Sequence, residues 1–302
     1  MNNPITWFKL ARALLRHDRT AFYALRTVRA MHGAPLAVFA PEIIRFLNHR
    51  YPAGRPLEAY LARGERLRQL QRTFEAAGRY PAGSYAEVQP VPDDIYKLSL
   101  LLSFICTNHR FEILLALDAF LREPVSAPPR LLSVGYGTGY ELKLARNHLP
   151  DWAIEAFDAS PESFAYATDL LAFFACDPVT LRQEYFPLET TAGLDQYRDC
   201  FGKIVVCELL ELLEHPAEAL VNLAAALHPQ GRIFLTMAIN IAQEDHVFLY
   251  RTPEQARDQV LAAGFEIVGE LVTPVVGMPF DEPERRALCR KGNYVCVARR
   301  RS

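Results

Sequence analysis

The sequence predicts an α/β fold, a mainly parallel sheet wrapped by helices, behind an all-helical N-terminal domain. Three observations predict it. Leu131 to Ser160 holds a strand, a glycine turn, a helix, a second strand and a terminal acid, in that order. Three further strand-like runs follow, then two final ones separated by Gly277 to Asn293, long enough for an antiparallel return. Residues 1 to about 125 hold no convincing alternating strand, only apolar residues at helical spacing.

The glycine stretch is the centre of the reading. Leu131, Leu132, Ser133 and Val134 form a short apolar run, the pattern of a buried strand. Gly135, Gly137 and Gly139 follow at alternate positions. Gly135 lets the chain turn off the strand where a side chain would clash. Gly137 and Gly139 leave no Cβ between backbone and ligand, so N–H groups at a helix start can approach it. That helix carries Leu142, Leu144, Ala145 and Leu149 and stops at Pro150. A second strand, Trp152 to Phe157, ends on Asp158, whose carboxylate is spaced from the glycines to accept bonds from both hydroxyls of a ribose. A dinucleotide fingerprint needs a small residue where this chain has Tyr140, which disfavours NAD.

Composition bounds the function classes. The 302 residues are 50% hydrophobic and 23% charged with a net charge of −2, an ordinary globular profile with no whole-chain attraction to nucleic acid. Six cysteines are scattered without a CxxC pair or zinc-ligand spacing, so no metal site is expected. The N-terminus is interrupted by charge every few residues, unlike a signal peptide, and the longest apolar run, Leu98 to Cys106, is too short to span a bilayer. A cytoplasmic protein without membrane or nucleic-acid partners, and with a homodimer open, is the expectation.

In chain order, Trp7 to Leu15, Phe22 to Met31 and Leu57 to Ala77 show helical spacing, and Pro41 suits the first turn of a helix over Glu42 to His49. Lys9, Arg12, Arg16, Arg19, Arg26 and Arg29 face a single acid, Asp18, in the first thirty residues. They read as the solvated face of an amphipathic helix or as a surface for an acidic partner. Asp93 or Asp94 caps an apolar helical stretch that reaches Leu121 with a break near Thr107. Asn108, His109, Arg110 and Glu112 form a polar knot within it, either lining an acceptor pocket or packing the helix on the sheet. Glu123 to Pro129 is the boundary, dividing a helical domain, 1–125, from a nucleotide domain, 126–302.

Val134 to Glu141, VGYGTGYE, resembles the first motif of class I S-adenosylmethionine (SAM) dependent methyltransferases. The resemblance runs from about Leu131 to Arg299. It includes Glu208 and the segment after it to Gly231, and His246 to Gly264. It implies a Rossmann-like sheet of seven mostly parallel strands, SAM as co-substrate and a small-molecule acceptor. It assigns SAM binding to Gly135, Tyr136, Gly137, Gly139, Asp158, Ala159 and the strand-tip acid Glu208, with Glu184 or Tyr185 at the adenine. Where relatives that resemble ubiquinone-biosynthesis enzymes place a histidine beside the acceptor hydroxyl, this chain has Leu212. His215, three residues on, reads as a turn residue more readily than as a base, and His246 as structural.

SAM's sulfonium is already a good leaving group, so the protein chiefly holds nucleophile and carbon in line and excludes water. Tyr140, whose ring face suits a sulfonium, His109 and Glu208 are the catalytic candidates. Three readings stay open. The first is methyl transfer to a small molecule. In the second, the aminocarboxypropyl chain is attacked, as in nicotianamine-synthase-type enzymes or in cyclisation to azetidine-2-carboxylate, and methylthioadenosine is released. The third is a non-enzymatic binding module.

Overall fold

The computed structural model describes residues 6–51, 56–88, 93–176, 178–191, 193–275 and 291–301. Six helices come first: α1 (Trp7–His17), α2 (Arg19–Met31), α3 (Gly33–Arg50), α4 (Pro56–Ala77), α5 (Asp93–Cys106) and α6 (Asn108–Arg122). Local chemistry sets their ends. Thr6 accepts the N–H of Lys9 at the start of α1, and Asp18 accepts that of Ala21 at the start of α2 while pairing with Arg68 of α4. Pro41 departs from the sequence expectation, lying inside α3 rather than in its first turn. A proline there frees the carbonyl four residues back, and Ala37 is exposed, so water can take that carbonyl. The break near Thr107 is a bend of 84° between α5 and α6.

The remaining elements are β1 (Arg130–Val134), α7 (Tyr140–His148), β2 (Ala153–Phe157), α8 (Pro161–Phe173), β3 (Thr180–Arg182), β4 (Phe201–Cys207), α9 (Pro216–Ala226), β5 (Leu227–Ile239), α10 (Pro253–Ala262), β6 (Phe265–Pro274) and β7 (Gly292–Arg300). They build one seven-stranded sheet in the order β3-β2-β1-β4-β5-β7-β6. All neighbours are parallel except β7, which runs antiparallel to both β5 and β6. This is the Rossmann-like sheet that the resemblance implies. Strand order reverses between β1 and β4, so the loops after these two strands part and open a crevice at their C-terminal ends.

Alternate strand residues go to opposite faces, as the pleat requires. Leu131, Val205 and Phe234 join a core shared with the N-terminal helices, α7 and α8, while Leu132, Ile204, Val206 and Leu235 join one with α9 and α10. The helices before β1 therefore have no separate core. The last of them, α6, lies against β5, β6 and β7. The buried Lys203 of β4 ends that helix, donating to the carbonyls of Phe120 (2.7 Å) and Leu121 (2.9 Å). Burial lowers its pKa to about 8. Among the described residues no single helix is long and apolar enough to cross a membrane.

Candidate functional site

The turn after β1 is built from three glycines, all at positive φ, and each is glycine for a different reason. A Cβ on Gly135 would meet Leu209 Cδ1 at 3.1 Å, on the loop after β4. At Gly139 it would meet Ala167 Cβ of α8 at 2.7 Å, so that glycine lets α7 and α8 pack. At Gly137 nothing but the Gly135 carbonyl lies within reach, at 4.0 Å, and the open side is a cavity. Only Gly137 leaves the backbone bare for a ligand. Gly135, Tyr136 and Gly137 line the cavity; Gly139 does not, and its N–H is spent on the Tyr136 carbonyl. The sequence expectation for Gly139 is corrected accordingly.

Asp158, just past β2, faces this turn. Its Oδ2 accepts the N–H of Gly137 and its Oδ1 that of Ser160, both at 2.9 Å. The carboxylate thus holds the glycine turn and lines the cavity beside Ala159 and Ser160. Glu184 and Tyr185 follow β3 on the cavity rim. Tyr185 is 87% exposed and Glu184 pairs with Arg182 at 3.5 Å. Both candidates therefore sit at the same edge, with the buried Phe186 next to them.

Glu208, at the tip of β4, is the most constrained side chain in the crevice. Its backbone has φ 54°, a left-handed conformation that costs an L-residue about 1–3 kcal/mol and clusters at functional sites. Its N–H donates to Thr236 Oγ1 of β5 (2.9 Å). The carboxylate accepts bonds from Thr236 Oγ1 (3.1 Å), Asn293 Nδ2 of β7 (2.6 Å) and Arg110 Nη1 of α6 (2.7 Å). Of the polar knot at the start of α6, Arg110 is the member that reaches the cavity.

The cavity has a volume of about 1250 Å³. Beyond the strand tips, its wall comes from the N-terminal helices: Tyr96, Lys97, Leu100 and Phe104 of α5, and Arg110, Ile113 and Leu117 of α6. Asp245 and His246, from the segment between β5 and α10, close it on another side. Tyr96 Oη donates to Asp245 Oδ2 at 2.9 Å, and His246 Nδ1 donates to the Ile241 carbonyl at 2.8 Å. Glu141, in the first turn of α7, also lines the cavity, and burial raises its carboxyl to about 7.

Two catalytic candidates lie elsewhere. Tyr140 is fully buried, its hydroxyl donates to Glu42 of α3 (3.1 Å), and its ring packs near Phe104. It joins helices and does not line the cavity. His109 is not among the cavity's lining residues either, and burial beside Arg110 lowers its pKa to about 3. His215 is exposed just ahead of α9. Glu208 alone of the three catalytic candidates borders the cavity. Sequence reasoning missed Lys97, Tyr96 and Asp245, which no motif or period marks, and Glu141, which lies inside the glycine motif but carries no assigned role there.

A glycine turn whose carboxylate partner sits at the next strand tip, at the switch point of this sheet, is the arrangement that the resemblance to SAM-dependent methyltransferases implies. The chain belongs to that family: a family described as "Methyltransferase domain" matches residues 107–269, more than half of the chain. SAM is its co-substrate. Among curated proteins it is similar to a trans-aconitate 2-methyltransferase from Methylobacterium nodulans (strain LMG 21967 / CNCM I-2342 / ORS 2060). The two are 29% identical over 139 residues, 45% of this chain and 48% of that one. The chain spans about half the length of that relative. Among solved structures it resembles the CurJ carbon methyltransferase (TM-score 0.53, 18% identity, 85% of this chain and 69% of that one). A second is the mitomycin 7-O-methyltransferase MmcR (TM-score 0.50, 12% identity, 88% and 73%). At these identities the likeness is one of fold.

Proposed function

We propose that the protein transfers the methyl group of SAM to a small-molecule acceptor held between the strand tips and the N-terminal helices. In this reading SAM lies across the C-terminal ends of β1, β2 and β4. Gly135, Tyr136 and Gly137 border its methionine and ribose, and Asp158 and Ala159 meet the ribose. Glu184 or Tyr185 meets the adenine, and Glu208 with Arg110 faces the methionine end. Helices α5 and α6 supply the acceptor wall. The acceptor attacks the methyl carbon, the C–S bond breaks towards sulfur, and S-adenosylhomocysteine leaves.

The observation that carries this reading is one continuous cavity. It joins the bare backbone at Gly137 and the Asp158 carboxylate to an apolar wall from α5 and α6. Its volume of about 1250 Å³ exceeds the roughly 300–1,000 Å³ usual for one small ligand, so co-substrate and acceptor have room side by side. The trans-aconitate 2-methyltransferase likeness covers under half of either chain and leaves the acceptor open.

Incubating the purified protein with SAM alone, and then with candidate acceptors, tests the proposal by mass spectrometry of the nucleoside formed. S-adenosylhomocysteine appearing only with an acceptor is the expected result. Methylthioadenosine accumulating above the non-enzymatic background overturns it, because that product marks attack on the aminocarboxypropyl chain.

A further inference from the structure

We propose that Lys97 is a carboxylate-binding residue of the cavity and that the acceptor carries a single carboxylate on an apolar body. This rests on the methyl-transfer reading above and adds the class of its acceptor. Lys97, on α5, is 6% exposed and lines the cavity. An ammonium donates on every side and accepts nothing, so it needs several oxygens or a counter-ion when buried. Its hydrogen-bond partner among the described residues is the Ser163 hydroxyl of α8, at 2.6 Å. Ser163 is buried and neutral, so it takes up one N–H and none of the charge.

The other buried lysines show what is missing. Lys143 pairs with Glu42, and Lys203 donates to the two carbonyls that end α6. Neither lines the cavity. Lys97 does, and among the described residues no carboxylate pairs with it. A buried charge without a counter-ion is costly to hold. The fold has already stripped this ammonium of most of its water, so an entering carboxylate pairs with it in a site of low dielectric without having to dehydrate it first. The charge is also felt at Glu141, where burial raises the carboxyl and Arg110 and Lys97 pull it down.

The surroundings set the rest of the ligand. Leu100 and Phe104 line the cavity one and two turns beyond Lys97 on α5, and Ile113 and Leu117 of α6 continue the apolar wall. An apolar body fits that wall with its carboxylate at the Lys97 end. The guanidinium groups that line the cavity are engaged, Arg110 with Glu208 and Arg182 with Glu155 and Glu184. A second or third carboxylate would therefore meet Asp158, Glu208 or Asp245 without a free cation among the described lining residues. SAM carries a carboxylate too, at its methionine end, which the reading above sets beside Glu208 and Arg110. Lys97 instead bonds the first turn of α8, just past the β2 tip, and belongs to a helix of the acceptor wall. The acceptor is thus the source that the structure favours.

Calorimetry with matched acids and amides tests the assignment. Butyrate, octanoate and 4-phenylbutyrate, their amides, and citrate as the polycarboxylate are titrated into the S-adenosylhomocysteine complex. In the wild type at least one acid should bind at least about tenfold tighter than its amide. Lys97→Met should lose that preference and bind the amides as before, while Lys97→Arg should keep it. No acid preference in the wild type, including failure of every acid to bind, overturns the assignment, as does a preference that survives Lys97→Met. Citrate binding tighter than every monocarboxylate overturns the single-carboxylate class. SAM and decarboxylated SAM separate the two sources, and Lys97→Met should weaken neither. A loss of affinity for SAM that decarboxylated SAM does not share gives Lys97 to the co-substrate and overturns the acceptor class. The wild-type acid preference decides the class even where Lys97→Met does not fold. A wild type that does not bind SAM sinks the methyl-transfer reading and this one with it, whereas a missing acid preference sinks this one alone.

Discussion

Alanine at Gly137 and alanine at Gly139 should fail in different ways, although the sequence writes the two glycines as one motif. Both positions have positive φ, 50° and 75°, a conformation that costs an L-residue about 1–2 kcal/mol. For Gly137→Ala that is nearly the whole stability cost, since the new Cβ has only the Gly135 carbonyl near it, at 4.0 Å. Its methyl stands in the cavity, where the proposed co-substrate must approach the backbone. For Gly139→Ala the Cβ would lie 2.7 Å from Ala167 Cβ and 3.0 Å from Ala167 Cα. Relieving that contact means parting α7 from α8, an overpacking cost of about 1–3 kcal/mol on top of the backbone term. The total is about 2–5 kcal/mol, or roughly 5–15 °C in melting temperature for a chain of this size. Thermal melts without ligand and calorimetric titration with SAM measure the two quantities separately. Gly137→Ala should melt within a few degrees of wild type and lose at least about tenfold in SAM affinity, equivalent to ~1.4 kcal/mol. Gly139→Ala should melt well below it. A Gly137→Ala protein that binds SAM normally, or a Gly139→Ala protein of wild-type stability, would refute the separation.

Two further variants probe the same crevice. Asp158→Ala removes the acceptor of the Gly137 and Ser160 N–H groups and of the proposed ribose bonds, each worth about 1.5–3 kcal/mol at most. Its SAM dissociation constant in calorimetry should rise at least tenfold, and an unchanged value rejects the ribose assignment. Glu141 titrates near 7 in the fold against 4.5 for the ordinary carboxyl, so the unfolded chain gives up this proton first as pH rises. Folding stability through this group therefore falls between those two values and is level above them, by of order 1–3 kcal/mol. Glu141→Gln should flatten that decline in denaturant melts at mildly acidic and mildly alkaline pH; an identical slope in both proteins contradicts it.

What the sequence made legible is local in the chain. The strand, glycine turn, helix, strand and Asp158 lie within thirty residues, and each is marked by period or by a turn residue. The strand order needs the family resemblance, because periodicity does not say which strands are neighbours. Residue roles were lost where a partner is distant in sequence. Gly139 owes its identity to Ala167, and Tyr140 to Glu42 on α3, so neither motif position reveals what it touches. His109 and Arg110 are successive residues on α6, and only the rotation of that helix decides that Arg110 reaches Glu208. Asp245 and His246 lie in an irregular segment, where no period distinguishes a cavity wall from a loop.

The helices before β1 are part of the crevice rather than a detachable cover, and the ties between the two halves show which joint is weakest. Arg63 to Glu244, Tyr96 to Asp245, Arg110 to Glu208 and Lys97 to Ser163 each bind a side chain of α4, α5 or α6 to the sheet side of the cavity. These are shielded from water. Breaking the innermost, Arg63 to Glu244, would strand a guanidinium that is 4% exposed, a cost of several kcal/mol, while Glu244 keeps Arg66 at 2.7 Å. On the opposite rim the ties are of another kind. The Tyr85 N–H donates to Glu214 (2.7 Å) and its hydroxyl to Glu189, on a side chain 48% exposed. Water can replace such bonds at a net cost of about 0.5–1.5 kcal/mol each, or little more for the charged acceptors. Rotating the whole helical half away would break the costly set together. Parting the rim at Tyr85 breaks only the inexpensive one, and it opens the cavity beside Leu188, Glu189 and Leu213. A ligand passing that rim would leave the Arg110–Glu208 and Tyr96–Asp245 ties unbroken, which is what a preorganised site requires.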